Sequence, residues 1–362
     1  MYISKIYIRD FRNISQLEYF PDKGLNILIG TNAQGKTNFL EAIYLVTNRT
    51  SFRSVQDRHL VKFNEEGFQI QIDYNLDDKN NSLKIEYLIG KRKKITLNNK
   101  RILPDQDRLK ATLFTPDDLY LLKGPPVRRR SFLDSLLIQI SNDYKRNLDD
   151  YEQLLSRRNN LLKADSLDMA MLEALDHIFA ATAAHIIMAR LNILRHLEKY
   201  AVNSYQTIGG DDTLRLKYAV SFPLPAGKIS YETVKEELLL NTISLRSREC
   251  RMKNTLVGPH RDDINFYINE KNAKIFASQG QQRNIVIALK LAELETIHRT
   301  TGVYPLFLLD EVLAELDSQK RDLIIGVLQE SSFQTFLTSV EISLFRDING
   351  KIIRLDNGKL IL

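Results

Sequence analysis

Gly30-Thr31-Asn32-Ala33-Gln34-Gly35-Lys36-Thr37 is a G-x-x-x-x-G-K-[ST] loop. It follows the apolar run Leu25-Asn26-Ile27-Leu28-Ile29. It precedes Asn38-Phe39-Leu40-Glu41-Ala42-Ile43-Tyr44-Leu45, whose apolar residues recur at helical spacing. A strand, a glycine loop and a helix start, in that order, give the motif a mechanism. Glycine has no Cβ, so the backbone can wrap closely around phosphate oxygens. The loop N–H groups and the positive end of the helix then face the anion. Lys36 is placed to reach the β and γ phosphates, and the Thr37 hydroxyl to ligate magnesium. The loop implies a nucleoside triphosphate site.

The 362 residues suffice for one large core or two lobes, and 43% hydrophobic with 27% charged residues is a globular balance. No apolar run in the sequence approaches the ~20 residues that span a bilayer. Met1-Tyr2-Ile3-Ser4-Lys5-Ile6-Tyr7-Ile8-Arg9 reads as a strand and lacks the apolar centre of a secretion signal. The one cysteine, Cys250, excludes an internal disulfide. These features predict a cytoplasmic, soluble protein with no membrane partner. A net charge of +6, with a pI near 9.1, fits a polyanionic partner.

Strands are expected over 2–9 and 24–29, with Phe11-Arg12-Asn13 in the turn after the first. Residues 68–75 and 83–89 alternate like paired antiparallel strands, and Leu97-Asn98-Asn99-Lys100 reads as a hairpin turn. From Val127 to Tyr205 there is no Gly or Pro. Apolar residues there step by threes, fours and one seven, first Leu137, Ile140, Tyr144, Leu148 and Tyr151, later Phe179, Ala183, Ile186 and Ile193. The pattern predicts a helical hairpin about 40–50 Å long, turning near Lys163-Ala164-Asp165-Ser166. Beyond it come a strand (213–222), a helix (231–249), a hairpin (264–268 with 273–276) and a helix from Gln281 to Ile297. A buried strand at 303–310, a helix (318–329) and strands at 333–338 and 351–355 complete the expected order. Two domains follow: a discontinuous α/β head, 1–115 and 206–362, and an inserted helical lobe, 116–205.

Leu306-Phe307-Leu308-Leu309-Asp310-Glu311 supplies the acidic half of the site. Asp310, ending a buried strand, would bind magnesium, and Glu311 would orient or deprotonate the attacking water. This pair stands late in the chain, after the helical insert. That is the order of ABC-type ATPases.

Ser278-Gln279-Gly280-Gln281-Gln282-Arg283 opens the helix before that strand. It resembles the signature motif of the SMC-like branch of ABC ATPases, and Ala314-Glu315-Leu316-Asp317 resembles that branch's dimer loop. Read alone, Ser278 is a helix N-cap; with Gly280 it is also an anion site at a helix start. Three further stretches resemble the RecF family: Pro116 through Asp134, Gly258-Pro259-His260-Arg261-Asp262-Asp263, and Leu309 through Asp317. The resemblance runs end to end. It implies a P-loop ABC-type ATPase head with an inserted α-helical hairpin lobe, binding ATP and Mg2+. It assigns catalytic parts to Lys36, Glu311 and Ser278. Nucleotide contacts go to Gly30 through Thr37, Gln279, Gly280, Asp317 and Arg12, the last through the family's Phe-Arg-Asn turn. Metal contacts go to Thr37 and Asp310. The glutamine that links phosphate to the helical lobe in ABC proteins has no counterpart near Phe114-Thr115-Pro116. Phe336-Leu337-Thr338-Ser339 stands where transporters carry a switch histidine, so hydrolysis is expected to be slow.

The resemblance also implies an ATP-dependent homodimer on double-stranded DNA near single-strand gaps, with RecR as partner and RecO and RecA in the same pathway. The basic runs Lys91-Arg92-Lys93-Lys94 and Arg128-Arg129-Arg130 are candidate DNA contacts. Each is also readable as a solvated face, and the arginine run as a tie between lobes or a nucleotide contact. His260 reads as structural and Cys250 as inert. Two other readings stay open: a transporter ATPase subunit, which lacks its Leu-Ser-Gly-Gly-Gln signature here, and a DNA scaffold that binds ATP without useful turnover.

Overall fold

The computed structural model describes residues 1–54, 56–102, 109–227, 229–345 and 348–361. They form two compact units, Met1–Asp118 with Ile297–Leu362, and Leu119–Thr296. The first unit opens with β1 (Tyr2–Phe11), β2 (Ile14–Tyr19), β3 (Leu25–Ile29) and α1 (Lys36–Asn48). Strands β4 (Gly67–Leu76), β5 (Lys79–Leu88), β6 (Lys94–Leu97), β7 (Lys100–Arg101) and β8 (Ala111–Phe114) follow. The second unit holds α2 (Pro126–Ile140), α3 (Asn142–Lys163), α4 (Met169–Thr207), β9 (Leu214–Ala219) and α5 (Tyr231–Met252). It continues with β10 (Asp263–Ile268), β11 (Lys271–Asn272), α6 (Ala273–Phe276) and most of α7 (Gln279–Thr301). The chain returns to the first unit for β12 (Leu306–Asp310), α8 (Ser318–Glu330), β13 (Thr335–Ser339), β14 (Lys351–Asp356) and β15 (Lys359–Ile361).

The first unit contains two six-stranded sheets. One runs β2-β1-β4-β5-β6-β7 and its pairs are antiparallel. Strand side chains alternate between faces, and register aligns Ile8 with Ile70 and Ile70 with Ile85. All three are fully buried, each contributing about 1.5–3 kcal/mol of burial. The β6–β7 turn needs left-handed backbone at both central positions, and Asn98 and Asn99 adopt φ of 50° and 62°. The other sheet runs β15-β14-β3-β13-β12-β8, parallel from β14 through β8. Every residue of β3, β12 and β13 is buried. That is why β3 and β12 read as mostly apolar runs rather than alternating ones. Phe39, Leu40 and Ile43 of α1 join the core formed with both sheets.

In the second unit α4 packs along α3, α5 and β9, while β9, β10 and β11 form an antiparallel sheet. These contacts move one expected boundary. The helical lobe does not end at 205; sheet β9–β11 and α5 belong with it, and the unit continues to Thr296. The long helical stretch is also broken. Ser141 is extended at φ −136° and ψ 119°, and its hydroxyl caps α3 by accepting from Tyr144 N. The hairpin is therefore unequal, 22 residues of α3 against 39 of α4. At 1.5 Å per residue α4 is about 58 Å long, beyond the expected length.

Helix α4 is also long and apolar enough by composition to cross a membrane, contrary to the expectation from scanning for unbroken runs. Half of that apolar window is buried by its neighbours in the unit. Residues 273–276 form a helical turn rather than a strand, because the Asn272 side chain accepts from Lys274 N and starts a helix. Strands β2 and β15 were not expected from the sequence. Both are short partners that complete hairpins next to the glycine loop.

Candidate nucleotide-binding site

Helix α1 begins without a cap. Gly35, at φ 105°, precedes it, and there is no side-chain acceptor and no acidic residue in its first turn. Its leading N–H groups are left for a ligand. A Cβ on Gly35 would lie 2.8 Å from Asn13 Oδ1, which is a second reason for glycine there. Around this helix start lies a cleft of about 300 Å³ lined by Asn13, Ala33, Gly35, Lys36, Thr37, Asn38, Arg53 and Glu311.

Lys36 is 3% exposed; its ammonium donates to Gly30 O (2.7 Å) and Thr31 O (3.0 Å) and pairs with Glu311 Oε1 at 2.9 Å. Asp310 ends β12 directly beside Thr338 of β13 in parallel register. The Thr338 hydroxyl donates to Asp310 Oδ1 at 2.9 Å and accepts from Glu311 N at 2.9 Å. The Thr37 hydroxyl donates to the same Asp310 oxygen at 3.0 Å. Burial raises the Asp310 pKa above the usual carboxylate value, opposed by the two threonine hydroxyls. Glu311 sits in left-handed backbone at φ 55°, an uncommon conformation for a non-glycine residue. The Thr338 bond to its N–H helps hold it there.

The structure thus brings together Gly30 through Thr37, Asp310 and Glu311 as expected from the sequence, and adds Asn13, Asn38 and Arg53. The Arg53 guanidinium donates to Asn38 Oδ1 at 2.8 Å and is the second cation on the cleft wall. Its loop carried no motif that could single it out. Arg12 has protein partners of its own. Its fork grips the fully buried Glu41 carboxylate at 2.9 and 2.7 Å, and its third nitrogen donates to His59 O. It anchors α1 to the turn after β1, with its side chain still 21% exposed. Asp317 caps α8 by accepting from Lys320 N at 3.0 Å.

The signature segment belongs to the other unit. Ser278 Oγ accepts from Gln281 N at 3.2 Å, and Gln281 Oε1 accepts from Ser278 N at 2.9 Å. This is a reciprocal capping box. Ser278 and Gln279 remain exposed, and Gly280 is half-buried.

The basic runs divide. Arg129 is 2% exposed; Nε and Nη2 grip Asp263 at 2.7 and 2.8 Å, and Nη1 donates to the carbonyls of Leu121, Leu122 and Gly124. Arg130 donates to Asp262 O, and Lys93 to Asp57 and to Arg49 O. These three hold the chain together and are withdrawn as DNA contacts. Lys91, Arg92, Lys94 and Arg128 are exposed.

The Gly258–Asp263 segment is the centre of a buried polar network in the second unit. His260 Nδ1 lies 2.6 Å from the Tyr151 hydroxyl, and burial lowers its pKa to about 4. Arg190 grips Asp134 and donates to Pro259 O; the Tyr218 hydroxyl and Ser221 N both donate to Asp262. Arg158, fully buried, joins Asp176, Glu249 and Thr255. The structural reading of His260 holds. Among the described residues no cluster of three or more His, Cys, Asp or Glu side chains could hold a metal.

Comparison with known proteins agrees with this geometry. Residues 2–357 match the family model of the RecF/RecN/SMC N terminal domain. The chain is 37% identical over 350 residues to the DNA replication and repair protein RecF of Lactobacillus johnsonii, covering 94% of this chain and 93% of that one. It is 36% identical over 374 residues to the RecF of Symbiobacterium thermophilum, covering 99% and 100%. It superposes with a TM-score of 0.92 and 30% identity on a structure described as the recombination mediator protein RecF-ATPrS in the RecFOR pathway, over 99% of this chain and 97% of that one. A Pyrococcus furiosus Smc head domain shares the fold, with a TM-score of 0.56 at 16% identity, over 99% of this chain and 96% of that one. The P-loop ABC-type ATPase head read from Gly30–Thr37 and Asp310-Glu311 is the head of that family, and the chain belongs to the RecF proteins of DNA replication and repair within the RecF/RecN/SMC family.

Proposed function

We propose that the chain binds ATP with Mg2+ in the Lys36 cleft and hydrolyses it slowly. The observation that carries this is the knot of Lys36, Thr37, Asp310, Glu311 and Thr338. It sets one cation, one metal-type oxygen pair and one carboxylate around an uncapped helix start. The relative solved as RecF-ATPrS supports ATP as the nucleotide. The Thr37 hydroxyl and the Asp310 carboxylate suit magnesium, a hard cation that takes one or two protein oxygens together with substrate phosphates. Magnesium there would neutralise phosphate charge. Lys36 would leave the Gly30 and Thr31 carbonyls for the β and γ phosphates. Glu311, freed from Lys36, would orient or deprotonate water. Arg53 would add positive charge at the cleft mouth.

ATP is proposed to join two copies, with each nucleotide held between one chain's glycine loop and its partner's Ser278-Gln279-Gly280 segment, and Asp317 in the dimer loop. The closed dimer would clamp double-stranded DNA near single-strand gaps, with slow, DNA-dependent hydrolysis. It would help load RecA together with RecR and RecO. The exposed positions of Lys91, Arg92, Lys94 and Arg128 support them as phosphate contacts. Family membership and the absence of a transporter signature support a cytoplasmic role.

Sedimentation with ATP, with and without duplex DNA, tests the reading. Wild type is expected to dimerise with ATP. Ser278→Arg is expected to bind ATP as a monomer and fail to dimerise, and Glu311→Gln to dimerise and persist on DNA. Normal dimerisation by Ser278→Arg would remove the two-chain site.

A further inference from the structure

We propose that the C-terminal hairpin turn Asp356-Asn357-Gly358 is a positioning element for the anion-binding backbone of the glycine loop, and that Gln34 is its receiving residue. Gln34 is the variable position before Gly35, where the motif itself asks for no particular side chain. The structure gives it two bonds to the same turn. Its side-chain Oε1 accepts from Asn357 N at 2.5 Å, and its backbone carbonyl accepts from Gly358 N at 2.9 Å. The turn lies 323 residues away in sequence.

The second bond fixes a peptide plane. In a trans peptide the C=O of one residue and the N–H of the next point in opposite directions. Gly358 draws the Gln34 carbonyl outward, so the Gly35 N–H is aimed the other way, toward the face of the loop that lines the cleft with Lys36 and Thr37. Asn13 holds the preceding peptide, its Nδ2 donating to Ala33 O at 3.3 Å. Two hairpin tips, one from β1–β2 and one from β14–β15, therefore hold successive loop peptides.

Close contact explains why the turn has this composition. Asn357 and Gly358 take φ of 48° and 73°, the left-handed pair of a tight two-residue hairpin. A Cβ on Gly358 would stand 2.6 Å from Asn13 O, and a Cβ on Gly30 would stand 2.5 Å from Leu355 O. The hairpin thus lies backbone to backbone against the glycine loop at Gly30 and against the β1–β2 turn at Gly358. An anion site made of N–H groups works only if those groups are already aimed when the ligand arrives. The turn supplies that aim without touching the ligand.

The inference rests on the ATP reading, and the test separates the two. ATP affinity and steady-state turnover are measured by titration for wild type, Gln34→Met, Gln34→Asn and Gly358→Val, with melting temperature as the fold control. Met keeps the length of Gln but offers no comparable acceptor. Asn keeps an amide too short to reach. Both are expected to raise Kd and KM for ATP by about three- to tenfold, the worth of one net hydrogen bond. The melting temperature should stay at the wild-type value. Gly358→Val should raise KM further. In Gln34→Met the Gly35 amide resonance should also lose part of the shift that wild type shows on adding ATP. A purely structural turn would change melting and leave ATP affinity and that resonance alone. If Gln34→Met binds ATP within twofold of wild type, the inference is overturned and the ATP reading stands. If wild type binds no ATP, both fall.

Discussion

Two charged networks, one in each compact unit, use the same side-chain types and do different things. In the first unit Lys36 pairs with Glu311, whose side chain is 35% exposed, at the edge of a cleft. In the second, Arg158 pairs with Asp176 and Glu249 at 0–1% exposure, and Arg129 and Arg190 are similarly enclosed. The first network is open: its cation rests on carbonyls that a phosphate could replace, and a helix start beside it lacks a cap. The second is closed, with every guanidinium nitrogen of Arg158, Arg129 and Arg190 on a protein acceptor. An ion pair that retains solvent access and a replaceable partner can serve a ligand. One that is saturated and sealed can serve only the fold.

The largest effect should come from opening the sealed network. Arg158→Ala leaves Glu249 buried without its cation and Asp176 with Arg246 alone, and should cost about 3–5 kcal/mol in urea unfolding. ATP affinity of the folded fraction should stay within twofold of wild type. A loss below about 1 kcal/mol would mean that this network contributes little to the fold.

Lys36→Ala should act the other way round. Removing the cation from the phosphate site should weaken ATP binding at least about a hundredfold, or about 3 kcal/mol, by calorimetric titration. The melting temperature should change little, because the Glu311 it leaves is partly solvated. Near wild-type affinity would remove the phosphate-loop assignment.

Acid should weaken the sealed network in a defined window. His260 takes its proton at about 4 in the folded chain against 6.5 when exposed, so between these values the unfolded chain binds the extra proton. Stability contributed by neutral His260 is full above 6.5 and is lost as pH falls toward 4, at up to about 1.4 kcal/mol per pH unit. His260→Gln should flatten that part of the profile of melting temperature against pH. An unchanged slope would place the acid sensitivity in other groups.

Thr338→Val should have the smallest effect, on the open network's carboxylates. Without the hydroxyl, Glu311 N and Asp310 each lose one bond, worth about 1 kcal/mol, and kcat should fall about five- to tenfold. KM should stay near wild type, and Thr338→Ser should restore turnover. An equal loss in the serine variant would trace the effect to packing of β13 rather than to the hydroxyl.

The sequence by itself determined the features whose chemistry is contiguous. Eight adjacent residues specify a phosphate loop because strand, glycine and helix start need only local backbone conformation. The apolar runs of β3 and β12 announce buried parallel strands for the same reason. The hairpin of α3 and α4 was legible from helical period, though not the break at Ser141, whose cap is a side-chain bond that periodicity does not register. Tertiary structure decided which charges are buried. Arg128, Arg129 and Arg130 look alike in sequence, but successive helix positions are about 100° apart. Arg128 therefore faces solvent while Arg129 is driven into the core against Asp263, 134 residues away. The grip of Arg12 on Glu41, the Thr338 bridge between Asp310 and Glu311, and the hold of Asn357-Gly358 on Gln34 are all long-range pairings. Local pattern sets backbone and face. A side chain's partner is set by the packing that brings distant strands together, and a site built from strand ends and turn tips therefore appears only in the folded chain.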